Sequence, residues 1–227
     1  MKKYKFTGET KTIYLPFGTV TLHRIKAVVE FGLVKVGDLG GWIEKEENLS
    51  HEENAWVYGD AEVCGNAKVY GNAKVCGNAK VYGDAEVYGN AWVCGNAEVR
   101  GNAKVRGNAK VYGDAEVYGD AKVYGDAEVR GNAWVCGNAW VCGNAKVFST
   151  DHVLVIGAIG SRNDFTTFFR DKDNEITVKC GCFLGKIDKF LEKVTQTHKD
   201  TKHTLAYRTA VEVAKLQIDL TEKSTRR

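Results

Sequence analysis

The chain has 227 residues and a formal net charge of only +3, room for one elongated domain with appendages at the usual roughly 100 to 200 residues per domain. Basic and acidic residues balance at 8 against 8 before Ala55 and at 10 against 10 from there to Phe148, so the slight excess of 14 against 11 lies from Ser149 on. That distribution lacks the basic stripe of a duplex-binding protein and makes nucleic acid an unfavoured partner. No apolar run approaches the roughly 20 residues of a membrane span, and the start Met1-Lys2-Lys3-Tyr4-Lys5-Phe6 has no long apolar signal segment behind its lysines. A soluble, cytoplasmic chain without a membrane partner is expected.

Residues 1–54 read as an N-terminal β cap. Thr19 to Phe31 is expected to be a strand carrying Leu22, Ile25 and Val28, and Leu39-Gly40-Gly41-Trp42-Ile43 to lay an aromatic plug over the start of the segment from Ala55. His23 and His51 are read as structural.

From Ala55 to Phe148 one phrase recurs without a register slip, Ala-x-Val-x-Gly-(Asn/Asp). A constant period of this kind makes a solenoid, in which equivalent residues fall into columns. Valine and alanine are the inward pair. Glycine with Asn or Asp takes the corner, where left-handed backbone angles cost those residues little. The two x positions then face water.

The outward positions also fix the number of sides, because residues one coil apart lie about 4.8 Å from each other and must suit one another. With three sides, residues 18 apart stack, and the position after alanine runs Lys68, Glu86, Lys104 on one face, Glu62, Lys80, Glu98 on the next and Lys110, Glu128, Lys146 on the third. That register gives six opposite-sign neighbours and two like-sign ones, Glu98 with Glu116 and Lys104 with Lys122, whereas a two-sided coil gives four of each. The position after valine agrees, for Arg100 falls between Tyr82 and Tyr118, Arg106 between Tyr88 and Tyr124, and Arg130 between Tyr112 and Phe148. Guanidinium planes stack well on aromatic faces, so these ladders are read as structural. About five coils result, a prism roughly 25 Å long at that spacing.

Cysteine occurs seven times, mostly at the place of Tyr or Arg in the repeat, and this is read as a set of reduced thiols. Trp56, Trp92, Trp134 and Trp140 stand at outward positions and suggest self-association or packing beneath the end segments.

Residues 149–227 differ in kind. His152 to Gly157, Phe165 to Arg170 and Glu175 to Cys180 read as strands, the last after the turn Asp171-Lys172-Asp173-Asn174. Ile187, Phe190, Leu191 and Val194, then Tyr207, Val211, Ala214 and Ile218, fall at helical spacing. This β-β-β-α-α module is larger than a lid requires. Its polar loop from Gly157 to Asp164 carries Ser161, Arg162 and Asn163, which with Arg170 are the residues expected to hold an anion, since loop amides and an arginine suit phosphate or carboxylate. Cys180-Gly181-Cys182 with His198 and His203 lacks the paired spacing of a zinc site, so no metal and no cofactor is expected.

The repeat resembles the hexapeptide-repeat, left-handed β-helix family, in which an aliphatic residue is followed four positions later by a small one, as Val57 is by Ala61. The segment Leu22-His23-Arg24-Ile25 through Val34-Lys35-Val36-Gly37-Asp38-Leu39-Gly40-Gly41-Trp42-Ile43 to Leu49-Ser50 resembles the lead-in of uncharacterised bacterial and phage hexapeptide proteins, the YdcK-like group among them. Left-handedness is implied by that resemblance alone. The resemblance also implies a trimer before a dimer for the homo-oligomer that the flat faces with exposed Trp and Tyr suggest, and the possibility of coenzyme A-dependent acyl transfer. Acyltransferases of the family place a histidine base on or beside the coils, whereas here no histidine occurs between His51 and His152.

The expected architecture is mainly β, a three-sided left-handed parallel β-helix at 55–148 between an N-terminal cap and a C-terminal α+β module. The expected function is that of a non-enzymatic scaffold or binding protein with no catalytic residue, acting through the C-terminal module on a protein partner or an anionic small molecule. Two alternatives accompany it, a phage anti-defence protein sequestering a nucleotide-like signal and a diverged acyltransferase.

Overall fold

The computed structural model describes residues 2–15 and 18–221. Strands β1 (Tyr4–Leu15) and β2 (Gly18–Ala27) form a long antiparallel hairpin, β3 (Leu39–Ile43) pairs with β2, and β3 then runs parallel to Glu62–Val63. Sixteen two-residue strands come next, β4 (Trp56–Val57) to β19 (Lys146–Val147), one every six residues. They sort into three sheets, and every repeat strand pairs with the strand 18 residues away, as Lys68 does with Glu86 and Val93 with Val111. The chain is therefore a three-sided parallel β-solenoid, with its repeat valines and alanines buried in one continuous core.

Six coils are present where the repeat alone announces about five. Ile43 pairs with Val63 and Leu49 bridges to Val69, both at a spacing of 20 instead of 18, and together with Val57 they close a first coil. Its two extra residues lie between Leu49 and Val57. Gly41 stands where alanine stands elsewhere, because a Cβ there would lie 2.6 Å from the Ala61 carbonyl oxygen and 2.6 Å from a Val57 methyl.

The cap itself differs from the expected one. Trp42 is no plug: it lies outside the coil with Leu22 and Cys64, under the Lys11 and Arg24 side chains at 4.6 and 5.1 Å from its ring. As a residue of β3 it occupies an outward x position, and the hairpin folds over it. The end of the core is closed by Tyr4, Trp56 and Phe31, whose rings meet edge to face at 6.1 and 5.3 Å. Trp56, expected to face outward, is 1% exposed beneath this cap.

Backbone polarity explains what each end needs. Outside the two-residue strands, coil amides donate to carbonyls 17 residues further on, Tyr58 to Val75 at 2.8 Å and Trp92 to Ala109 at 2.9 Å, so the first coil needs partners for these carbonyls and the last for these amides. At the first, the buried Tyr4 hydroxyl donates to the Leu49 oxygen at 2.8 Å and the buried Lys3 ammonium to the Ala55 oxygen at 2.7 Å. Burial pushes the Lys3 ammonium down to about 8, with Glu53 opposing the shift. At the last, the Trp140 amide donates to the Thr167 hydroxyl oxygen at 3.0 Å and the Phe148 amide to His152 Nδ1 at 3.1 Å.

The C-terminal module has four strands, one more than expected. β20 (Val153–Ile159), β21 (Asp164–Arg170), β22 (Ile176–Cys180) and β23 (Phe183–Lys186) form an antiparallel meander, followed by α1 (Ile187–His198) and α2 (Lys202–Gln217). β23 escapes a reading of the sequence because it is four residues long, includes Gly185 and runs straight into α1. β21 is buried on both sides. Phe169 completes the core of the prism, and Phe168 belongs to the separate core made with Val178, Phe190, Val194, Tyr207, Val211 and Ala214.

The corner glycines adopt the left-handed region, and two of them separate strain from crowding. Gly137 (φ 62°) has open space at its missing Cβ, whereas a Cβ on Gly95 (φ 73°) would lie 3.0 Å from the Gly113 nitrogen and 3.1 Å from its oxygen, in the next coil. Gly137→Ala should therefore cost only the left-handed penalty of about 1–2 kcal/mol, and Gly95→Ala clearly more, in urea melts of the two variants. Equal losses would show that adjacent coils move apart freely.

Candidate functional site

On the faces of the prism the outward side chains engage one another. The Arg100, Arg106 and Arg130 guanidinium groups lie 4.2, 4.8 and 3.7 Å from the ring centres of Tyr118, Tyr124 and Phe148, each one coil further on. Behind them, the Tyr82 hydroxyl donates to Glu98 at 3.0 Å, Tyr88 stacks on Tyr70 at 4.8 Å, and Tyr112 is half-buried. Arg100 also holds Glu116 at 2.7 Å. Trp140 lies between the Lys122 and Lys179 ammonium groups at 4.2 and 5.0 Å, whereas Trp92 and Trp134 are 45% and 51% exposed.

The expectation of seven reduced thiols is corrected. Cys76 and Cys94 form a disulfide between adjacent coils, and Cys64, Cys136, Cys142, Cys180 and Cys182 are free. Stacking brings their Cα atoms to 4.6 Å, inside the roughly 4.4–6.8 Å range for disulfides. Burial pushes the Cys64 thiol up to about 12, with Glu44 and Glu62 adding to the shift.

A cleft of about 470 Å³ opens in the C-terminal module. Three elements build it: the turn Gly160–Asn163 between β20 and β21, the β22–β23 hairpin turn, and the facing sides of α1 and α2. Ser161 and Arg162 line it, together with Lys193 and His198 from α1 and Tyr207 from α2. Phe183, Phe190 and Val194 supply the apolar part of its lining, and Phe190 meets Tyr207 edge-on at 5.4 Å. Arg162 and Lys193 face one carboxylate, Asp164, so the balance of fixed charge is positive.

Gly160 is what lets the turn close on α2. A Cβ there would fall 1.9 Å from the Tyr207 hydroxyl oxygen, and its φ of 75° also favours glycine. Tyr207 is pushed up to about 12, first by burial and then by Cys180, whose sulfur lies 3.7 Å from the hydroxyl. It is a neutral phenol at physiological pH. The Thr166 hydroxyl donates to the same sulfur at 3.3 Å, and His198 stacks on Tyr207 at 6.0 Å.

The expected anion-binding set does not assemble whole. Ser161 and Arg162 line the cleft, and Asn163 shapes the turn at φ 49° without lining it. Arg170 sits at the other end of β21, seven residues along, buried against Phe148 at 5.2 Å and bonded to Asn174. Proximity in sequence placed it in the set, and the length of an extended strand removes it. Lys193 was hidden because α1 is read from its apolar stripe, which says nothing about the neighbouring polar positions, while Tyr207 was read only as part of such a stripe and His198 only as a metal ligand that lacked partners. Among the described residues no three His, Cys, Asp or Glu side chains converge as a metal ion needs.

The coils and their period define the class, a hexapeptide-type parallel β-solenoid with an α+β module on its C-terminal end. No family model matches the chain. Escherichia coli (strain K12) has a protein described as an uncharacterized acetyltransferase, YdcK, that is 39% identical to it over 62 residues, 26% of this chain and 19% of that protein. The similarity and the fold together fit a hexapeptide-repeat family. The matched part spans under a fifth of that relative's length. Among the described residues no helix is long and apolar enough to cross a membrane.

Proposed function

We propose that this chain acts by binding without turnover, the prism serving as a rigid support and the module cleft taking a small anionic ligand with a flat apolar part. The observation that carries this reading is the convergence of Arg162, Lys193 and His198 with the aromatic residues Phe183, Phe190 and Tyr207 in one cleft. Cation and ring surfaces in one place suit a phosphate or carboxylate attached to a ring, as in a nucleotide. Calorimetry with nucleoside mono- and diphosphates is the test. A saturable signal is expected, weakened about tenfold or more in Arg162→Ala, since a charge-assisted hydrogen bond contributes about 1.5–3 kcal/mol. No heat with any of them at millimolar concentration would sink the reading.

The name of the partial relative favours a second reading, transfer of an acyl group from coenzyme A. It predicts coenzyme A binding by the whole chain, and a flat titration at millimolar coenzyme A would dispose of it. For self-association we propose the faces that expose Trp92 and Trp134, in a trimer before a dimer. Light-scattering mass of the native protein decides, and a monomer at tens of micromolar refutes it.

A further inference from the structure

Cysteine takes the outward position after valine five times in the repeat, and only Cys76 and Cys94 fall 18 residues apart, in one column. Elsewhere tyrosine is the neighbour: Cys142, for one, is hydrogen-bonded by Tyr124. The backbone holds the pair close whether or not the sulfurs are joined. The Cys76 amide donates to the Val93 oxygen and the Cys94 amide to the Val111 oxygen, both at 2.9 Å, and Val75 pairs with Val93. Their Cα separation of 4.6 Å is thus close to the ordinary spacing of neighbouring strands, about 4.8 Å. The bond can open or close without displacing a strand.

Their surroundings suit exchange. Both cysteines are half-buried, at outward positions of the prism, and Trp92, two residues before Cys94 on the same outward side, is exposed. The Lys74 and Lys110 ammonium groups lie 4.9 and 5.8 Å from the Trp92 ring, and neither makes an ion pair among the described residues. Lys74 stands two residues before Cys76 on the same outward side, and positive charge near a cysteine favours the thiolate, which is both the attacking and the leaving form in thiol–disulfide exchange.

We propose that Cys76 and Cys94 form a reversible thiol–disulfide exchange site on the surface of the prism, with a dithiol as co-reactant. A thiolate of the dithiol attacks one cysteine sulfur, the bond between the two cysteines breaks, and the other sulfur leaves as a thiolate that takes up a proton. The second thiol of the reagent, as thiolate, then attacks the mixed disulfide. That releases the remaining cysteine and leaves the reagent as its own disulfide, so two electrons and two protons have passed to the protein.

The experiment counts thiols in the full chain. Air-handled protein, denatured without reductant, should titrate five thiols, and protein first treated with dithiothreitol in its native state and then freed of it should titrate seven, the sequence total. Circular dichroism should not change during the reduction, and the melting temperature should fall by roughly 5–10 °C, as loss of a short-loop disulfide implies. Glutathione disulfide should restore the lower count. In Cys76→Ser dithiothreitol should change nothing, while Cys64→Ser should keep the gain of two. Seven thiols before any reductant, reduction only after denaturant has unfolded the coils, or loss of the gain in Cys64→Ser would each overturn the proposal.

Discussion

Replacing Phe169 by alanine is expected to destabilise the protein by about 3–5 kcal/mol, the usual range for a fully buried phenylalanine. Its ring closes the C-terminal end of the prism core while its neighbour Phe168 belongs to the core of the module. β21 lies against the strands Trp140–Val141 and Lys146–Val147, and a rigid ladder of coils cannot collapse into the space left behind. Urea denaturation measures the loss. Hydrogen exchange at the Trp140 amide localises it, because that amide is held by Thr167, two residues from Phe169 on the same strand. A loss under about 1 kcal/mol with Trp140 still protected would mean that the module stays docked through other contacts.

Asp171→Asn is expected to be nearly as damaging, by about 2–4 kcal/mol. One carboxylate oxygen accepts the Asp173 and Glu175 amides at 2.9 and 3.2 Å, and the other accepts the Thr177 hydroxyl at 2.6 Å and the Lys186 ammonium. The backbone of Asp171 meanwhile bridges to Ala145 in the last coil, so the same residue ties the turn, β22, β23 and the prism together. An asparagine amide would turn donors toward donors. The figure stays below that of a fully buried pair because Lys186 is 39% exposed and also reaches Glu175 at 2.5 Å.

The same site sets a pH dependence. Burial works to raise the Asp171 pKa, but the hydrogen bonds from Lys186, Thr177, Asp173 and Glu175 prevail and hold it below the ordinary value of 3.8. A depressed carboxylate contributes stability that is present above its unfolded pKa and lost as pH falls through its folded one. For Lys186 burial opposes the charge, yet Asp171 and Glu175 raise its pKa above 10.5, so its contribution is full below that value and lost at higher pH. Melting temperature followed across that range should fall at the acid end in the wild type, and less steeply in Asp171→Asn. Parallel acid limbs would show that Asp171 is not the group responsible.

The prism was legible because its signal is redundant. Alternating Lys and Glu and arginine beside aromatic residues each select a period of 18, and a stack of identical backbones then obeys it throughout. The first coil was not legible, since Gly41, Ile43 and Leu49 replace the repeat letters and two extra residues break the count. Trp56 shows the same limit from the other side: the period assigns it an outward position, and only the Tyr4 segment decides that it is covered. In the module, apolar spacing located α1 and α2 but not which of their polar residues face the turn at Gly160–Asn163. A cleft between elements distant in sequence leaves no periodic trace, which is why Ser161 and Arg162 were assigned to it, Lys193 was not seen, and His198 and Tyr207 were read in other roles.

Outside the strands the bonds between coils run one way, from an amide to a carbonyl of the next coil, so acceptors predominate at one end of the prism and donors at the other. Two bare ends of the same kind match poorly, so uncapped copies would join head to tail, in an open row with no natural last member. Such a row needs a bare donor end and a bare acceptor end at every junction. A chain that keeps either its Lys3–Tyr4 segment or its β21 strand in place can therefore terminate growth but not propagate it. The two caps guard independently against fibre formation, and both must fail in the same molecule before it begins.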